Sequence, residues 1–379
     1  MRSIIAVCFF LLVADKAQSV DPKPLWEIDV SGGNKNTGPG WVSYSPDGHA
    51  IAAVVVREIG GDPKEYRYQL RVWNAANQKE RFTADLGSAK TSHLDDDMAS
   101  FPTDDSILTG GLNPTVRNLE NGQITTTDPY GGITGLSVWS VPDLKESFYL
   151  RREPLKPSEL FYQSSGNGRD EFAGFRGRVR FNQQTTEKTT IQPPRSGLET
   201  ENIALNFGRT HLVASFRDDS ITKRRHSLVM YEIKTVEEFG LVDIAEAENP
   251  HLGPVSAMSF ARNGKTLATG GADGSVALWD TEYVGSSWKP RATLNGLLNN
   301  RINAISFSRD WSTIAAVAWD STRPNLLLLD GDTGKLLKAV RLERELIAVT
   351  FSPDGRTLLT GSLIGKLRAW DIATLLKAN

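Results

Sequence analysis

The chain has 379 residues, 39% of them hydrophobic, a formal net charge of −2 and one cysteine. A balance so near neutrality excludes nucleic-acid binding driven by bulk charge, and a single cysteine excludes a disulfide framework or a cysteine-built metal site. Length and composition admit one large soluble domain or two ordinary ones.

Residues Met1 to Ser19 carry one early basic residue, Arg2, then an apolar run from Ile4 to Val13, then a polar stretch with the small residues Ala17 and Ser19. This pattern predicts a secretory signal peptide over 1–19, cleaved after Ser19, and export to the periplasm or the exterior as a secreted protein. The apolar run is too short to span a bilayer, so no membrane span is expected after cleavage. Cys8 lies inside that run, and Val7 before it is not the small residue of a lipoprotein site. The mature chain then contains no cysteine, and a large repetitive core must hold residues 20–379 together as one domain.

After the leader, Leu25 to Val30 alternates apolar and acidic residues and reads as a strand belonging to no unit of its own. From there the chain repeats. A first-strand aromatic recurs at Tyr44, Phe101, Trp139, Phe207, Phe260, Phe307 and Phe351, and the last three are roughly 47 and 44 residues apart. The first copy opens at Trp41 to Gly48 and ends at Leu70 to Asn74, with a lengthened charged hairpin from Val56 to Tyr68. In the second, Leu119 stands where tryptophan should be and Asn113 where aspartate should be. The third, over about 142–200, is irregular: Gly177 to Phe181 fits a third strand, and the segment reads as one unit with an insertion or as two short ones. The fourth has Leu212 to Ser215, a hydrophilic hairpin from Asp218 to His226, then Ser227 to Tyr231, with Val236 to Ala247 as a short helix or an outer strand.

The fifth copy, Val255 to Asp280, is the most regular. Val276, Leu278 and Asp280 point one way, Ala277 and Trp279 the other, as a strand packed on both faces requires. Arg262 to Lys265 and Ala272 to Ser275 are its two turns, each supplied with a glycine for positive φ. In the sixth, Leu329-Asp330 replaces Trp-Asp, and Trp319-Asp320 falls in the preceding hairpin. The seventh keeps Thr360 and Trp370 but has Ile364 in the aspartate position.

At these residues the chain resembles the WD-repeat family, as an exported, bacterial member, most strongly from Pro250 to Asp371. The resemblance implies an all-β fold, a single β-propeller of seven four-stranded blades, eight being the alternative. It also implies a hydrogen-bonded structural tetrad of His251, Thr269, Asp273 and Trp279. A buried indole N–H needs an acceptor, and a hydroxyl on the neighbouring strand is within its reach. Few residues follow Asp371, so the strand Leu25 to Val30 is expected to supply the missing outer strand and close the ring.

Sites of chemistry are sparse. The five histidines are scattered, with no HExxH, and neither a Gly-x-Ser-x-Gly elbow nor a phosphate-cradling loop is present. No metal and no cofactor is therefore expected. Asp95 to Asp97 reads as a solvated loop rather than a calcium site, and Asp330 to Gly334 as a turn. Arg176, Arg178 and Arg180 share one strand face, where they could grip anions or simply face water, and Lys223 to His226 is a basic hairpin tip. The function expected is a non-catalytic exported scaffold that binds another protein, or a polysaccharide, through loops of one face. The alternative is a hydrolase or oxidoreductase with a substrate or cofactor at the channel mouth.

Overall fold

Period-two alternation of apolar residues on strands flanked by tight turns makes sheets that can bury both faces. The computed structural model describes residues 22–34, 36–61, 64–89 and 198–377, apart from gaps at 207–209, 219–224, 235–239, 283–287, 296–297, 299, 321–323 and 343–344. Of residues 90–197 it describes only the backbone of strands between Ala99 and Thr190.

Among the described residues the strands form seven sheets. The fifth is an antiparallel meander of Val255–Phe260, Thr266–Gly271, Val276–Asp280 and Pro290–Leu294. The fourth (Leu198–Leu205, His211–Asp218, Arg225–Lys234, Gly240–Glu248) and the sixth (Ile302–Phe307, Thr313–Ala318, Leu326–Asp330, Leu336–Val340) repeat that order. The segment read as a helix or an outer strand is thus the strand Gly240–Glu248. In the seventh, Leu346–Phe351, Thr357–Ser362 and Lys366–Asp371 are followed by Trp26–Asp29, which pairs antiparallel with Lys366–Asp371 in the register Trp26 to Ala369 and Asp29 to Lys366. The chain then turns into the short helix Ile372–Lys377.

Two strands fall elsewhere than the repeat pattern predicts. Leu136–Ser140, expected to open the third copy at Trp139, is instead the third strand of the second sheet, beside Ser106–Gly110. Thr115–Asn118, expected in that place, joins the first sheet (Thr37–Tyr44, Ala50–Gly60, Glu65–Asn74, Glu80–Ala89) between Glu80–Ala89 and the edge strand Ile124–Thr126. Leu136, Val138 and Trp139 give Leu136–Ser140 the apolar residues that suit a strand flanked on both sides. The third sheet has three strands, Asp170–Gly174, Glu159–Ser164 and Thr185–Thr190. The anchor Phe207 and the proposed strand Gly177 to Phe181 lie outside the described residues.

The core lies between sheets, and the alternation decides which neighbour each side chain meets. Ala277 and Trp279 pack with Val213, Leu228 and Met230 of the fourth sheet. Their alternates Val276 and Leu278 pack with Ile302, Ile314 and Leu327 of the sixth. Leu326 and Leu328 in turn meet Leu346, Leu358 and Trp370 of the seventh, and Leu359 and Leu367 meet Ile51, Ala53 and Trp73 of the first. Each fully buried large apolar side chain contributes about 1.5–3 kcal/mol. Successive first strands are also tied at their starts, where register shifts free side chains from the ladder. Asn202 Nδ2 donates to the Val255 carbonyl (2.8 Å), Ser256 Oγ to that of Ile302 (2.6 Å) and Asn303 Nδ2 to that of Leu346 (2.7 Å). First strands of the fourth to seventh sheets therefore all begin on one side of the molecule, and that side presents the second-to-third-strand hairpins and the connections between sheets.

Candidate functional site

The start-side face is organised by a polar chain in the fifth sheet. Trp279 Nε1 donates to Thr269 Oγ1 at 3.0 Å, and Thr269 Oγ1 lies 2.8 Å from His251 Nε2. On its other side His251 Nδ1 is 2.5 Å from Ser275 Oγ, whose hydroxyl donates to Asp273 Oδ1 at 2.6 Å. The donors set one direction throughout. The Ser275 proton is committed to Asp273, so Nδ1–H donates to Ser275, and Nε2 of the neutral ring accepts from the threonine hydroxyl, whose oxygen accepts the indole N–H. This ordering requires a neutral imidazole. Burial supplies one, pushing the His251 pKa down to about 4 against the opposing pull of Asp273.

All four residues expected in the tetrad are thus brought into one network, but Asp273 Oδ1 stands 3.9 Å from His251 Nδ1, with Ser275 joining them. Ser275 was visible in the sequence only as the residue after a turn glycine. Gly271 is obligatory beside it, because a Cβ there would collide with His251. Asp273 is held below the usual carboxylate range by the Leu252 amide and by the Ser275 hydroxyl and amide, which together outweigh its desolvation.

The far end of the chain reaches the surface. Asp273 Oδ2 accepts the Leu252 amide at 2.8 Å, while Asn249 Nδ2 donates to the Gly253 carbonyl at 2.7 Å and Asn249 Oδ1 accepts the His251 amide at 3.2 Å. The connection 249–254 is consequently fixed, yet the Leu252 side chain is 94% exposed. Trp319, in the sixth-sheet hairpin, Ile364, in the seventh, and Ile59, at the first-sheet hairpin, are exposed large apolar residues at the same strand ends. A fixed apolar anchor among other exposed apolar groups is the chemistry of a binding surface rather than of bond-making.

The other candidates divide as follows. Asp330 Oδ1 accepts the amide (2.7 Å) and hydroxyl (2.6 Å) of Thr333, a turn on the opposite side of the sheet. Arg225 and His226 begin the strand Arg225–Lys234. Arg176, Arg178, Arg180, Asp95, Asp96, Asp97, Lys223, Arg224 and the leader 1–19 lie outside the described residues. Among the described residues no three His, Cys, Asp or Glu side chains gather as a metal would need, and no helix is long and apolar enough to cross a membrane.

The architecture is that of a β-propeller. The β-propeller domain of Cps50 (Swd1) from Myceliophteria thermophila superposes with a TM-score of 0.58 at 12% identity, over 93% of this chain and 99% of that one. Residues 248–280, which hold the whole polar chain, match the family model described as "WD domain, G-beta repeat". The chain is 30% identical over 132 residues to the small ribosomal subunit protein RACK1 of Schizosaccharomyces pombe. It is 28% identical over 138 residues to the COMPASS component SWD3 of Saccharomyces cerevisiae. Each match covers 32% of this chain and 39% of the relative, so the chain spans well under half the length of these curated relatives. All three similar proteins are eukaryotic and lend nothing to a bacterial source.

Proposed function

We propose that this protein is a non-catalytic WD-repeat scaffold that binds another protein through the face carrying Leu252, Trp319, Ile364 and Ile59. The reading takes the fold as a ring of seven blades, the third irregular, closed by Trp26–Asp29. It takes residues 1–19 as a leader that exports the chain. Leu252 carries the argument: a leucine almost wholly exposed on a connection pinned by Asp273 and Asn249 loses little entropy when covered. The polar chain is structural in this reading, since every donor from Trp279 to Ser275 is already used. Two relatives named as components of larger assemblies support a protein as the partner class, ahead of a polysaccharide.

The test is the native mass of the protein purified gently from its own host. A protein-sized excess is expected, lost when Leu252→Asp and Trp319→Asp are combined at unchanged melting temperature. A small excess matching a metal or cofactor would instead support an enzyme, and a bare wild-type chain would exclude a stable complex.

A further inference from the structure

The segment Pro250 to Pro254 carries Leu252 but is lightly held. Pro250 and Pro254 have no amide to give. The His251 amide and the Gly253 carbonyl bond to the side chain of Asn249 next door, and the Leu252 side chain buries almost nothing. Among the described residues three ties to the fifth sheet remain: the Leu252 amide on Asp273 Oδ2 (2.8 Å), the Pro254 carbonyl on the Ala272 amide (2.9 Å) and the His251 ring. The ring is the deepest of the three. Its side chain is fully buried between Thr269 and Ser275, in a socket so close that Gly271 has no room for a Cβ beside it.

That socket fits one protonation state. Nε2 accepts the Thr269 proton, so a proton placed on Nε2 turns an acceptor into a second donor. The Thr269 oxygen would then face both the indole and the imidazolium, and its own hydrogen would lose the acceptor it now has. Thr269 and Trp279 cannot retreat, because each lies on a strand paired on both sides. His251 can, because it lies on the connection and outside every ladder.

The titratable or charged groups on the elements around the ring are Asp273 in the hairpin, Glu248 and His226 in the fourth sheet and Arg301 in the connection into the sixth. Of these Asp273 alone acts on the ring, from 3.9 Å, and its attraction for an imidazolium is outweighed by the loss of water.

We propose that His251 is an acid latch: its protonation expels the imidazole from the fifth sheet, frees Pro250 to Pro254 and withdraws Leu252 from the start-side face while the sheets stay folded. The expelled cation regains water, Ser275 stays bonded to Asp273, and the strand opened by Val255 keeps its ladder, so the opening is local. Burial also sets the direction. The closed ring takes its proton near pH 4 and a ring in water near 6.5, so the latch is shut above about pH 6.5 and opens progressively as pH falls towards 4. That acid also releases the partner rests on the reading of Leu252 as its anchor. The latch itself does not, so the two can fail separately.

The test is amide hydrogen exchange of the full chain at pH 7 and pH 4, resolved to single residues, with near-ultraviolet circular dichroism to follow tryptophan packing. Relative to intrinsic exchange, protection of the Leu252 amide should fall about a hundredfold between the two, while that of Leu278, in the middle of the fifth sheet, holds. His251→Gln supplies an amide that accepts from Thr269 and donates to Ser275 but takes no proton, and should keep Leu252 protected at pH 4. Undiminished protection of Leu252 in the wild type would overturn the latch. So would a parallel loss at Leu278, which would mean that acid opens the whole sheet, or an equal loss at Leu252 in His251→Gln, which would assign the proton to another group. The first two outcomes are read on the wild type and stand even if the variant does not fold.

Discussion

The fifth and seventh sheets share a central contact and differ in everything around it. Trp279 donates to Thr269 at 3.0 Å, and Trp370 to Thr360 at 2.8 Å, each from third strand to second. In the fifth sheet the hydroxyl continues into His251, Ser275 and Asp273, all nearby in sequence. In the seventh, the places of His251, Asp273 and Ser275 hold Leu342, Ile364 and Lys366. No polar chain can continue there, and the sheet is completed by Trp26–Asp29 from the other end of the polypeptide, with Lys366 bonded to Asp29 at 2.7 Å and Arg368 to Glu27 at 2.6 Å. One sheet is held by local hydrogen bonds, the other by a long-range strand. The same tryptophan and threonine serve both.

The sharpest way to break the comparison is to remove the long-range strand. A chain beginning near Gly40 should lose on the order of 4 kcal/mol, since Trp26 and Ile28 leave the first-seventh core and the edge of Lys366–Asp371 is opened. An unchanged unfolding temperature would show that this strand holds nothing.

Acid should separate the two sheets by pH window. His251 has a folded pKa near 4, below its unfolded value of about 6.5. The unfolded chain therefore binds the proton first. Stability is full above about pH 6.5 and falls as pH drops towards 4, by up to about 3 kcal/mol. Denaturant midpoints of wild type and His251→Gln between pH 7 and 4 should diverge accordingly, and parallel curves would contradict the neutral buried imidazole. Asp29 behaves differently: the Lys366 bond, then Ser31, hold it at about 2 from an ordinary 3.8. Its contribution is present above about pH 4 and disappears as pH falls through 2, so Lys366→Met should lower the curve by a constant amount above pH 4, with the gap to wild type closing only in that lower window.

Smaller effects sharpen the contrast. Thr269→Val should cost about 2 kcal/mol, because both the indole of Trp279 and the imidazole of His251 lose their partner, and Thr360→Val about 1, since only the Trp370 indole does. Equal losses would mean the chain beyond Thr269 is immaterial. Smallest of all, a double-mutant cycle on Arg368 and Glu27 should give about 0.5 kcal/mol, as exposed ion pairs do, and should shrink in high salt.

Legibility followed locality. The strands of Val255 to Asp280, their two turns and the burial of Trp279 could be read from alternation and glycine placement, and all depend on neighbours within a few residues. The pairing of Trp26–Asp29 could be inferred because a strand without a unit and a unit without a strand were both visible. The exchange of Thr115–Asn118 and Leu136–Ser140 could not, because neither segment carries a Trp-Asp signature and several pairings satisfy the same pattern. In the sequence Leu252 is a single leucine between His251 and Gly253 that fits no apolar pattern, and only its pinned amide and bare side chain distinguish it.

By itself, then, the sequence determined the strand alternation, the turn positions and which tryptophans would seek a threonine, since these rest on pleat geometry and on the need of a buried N–H for an acceptor. The tertiary structure alone decided that Val276 and Ala277 serve different neighbouring sheets, that Ser275 joins His251 to Asp273, and that Trp311 sits in a glycine conformation. Each of these depends on distances between groups far apart or oppositely oriented along the chain, and a one-dimensional pattern carries no distances.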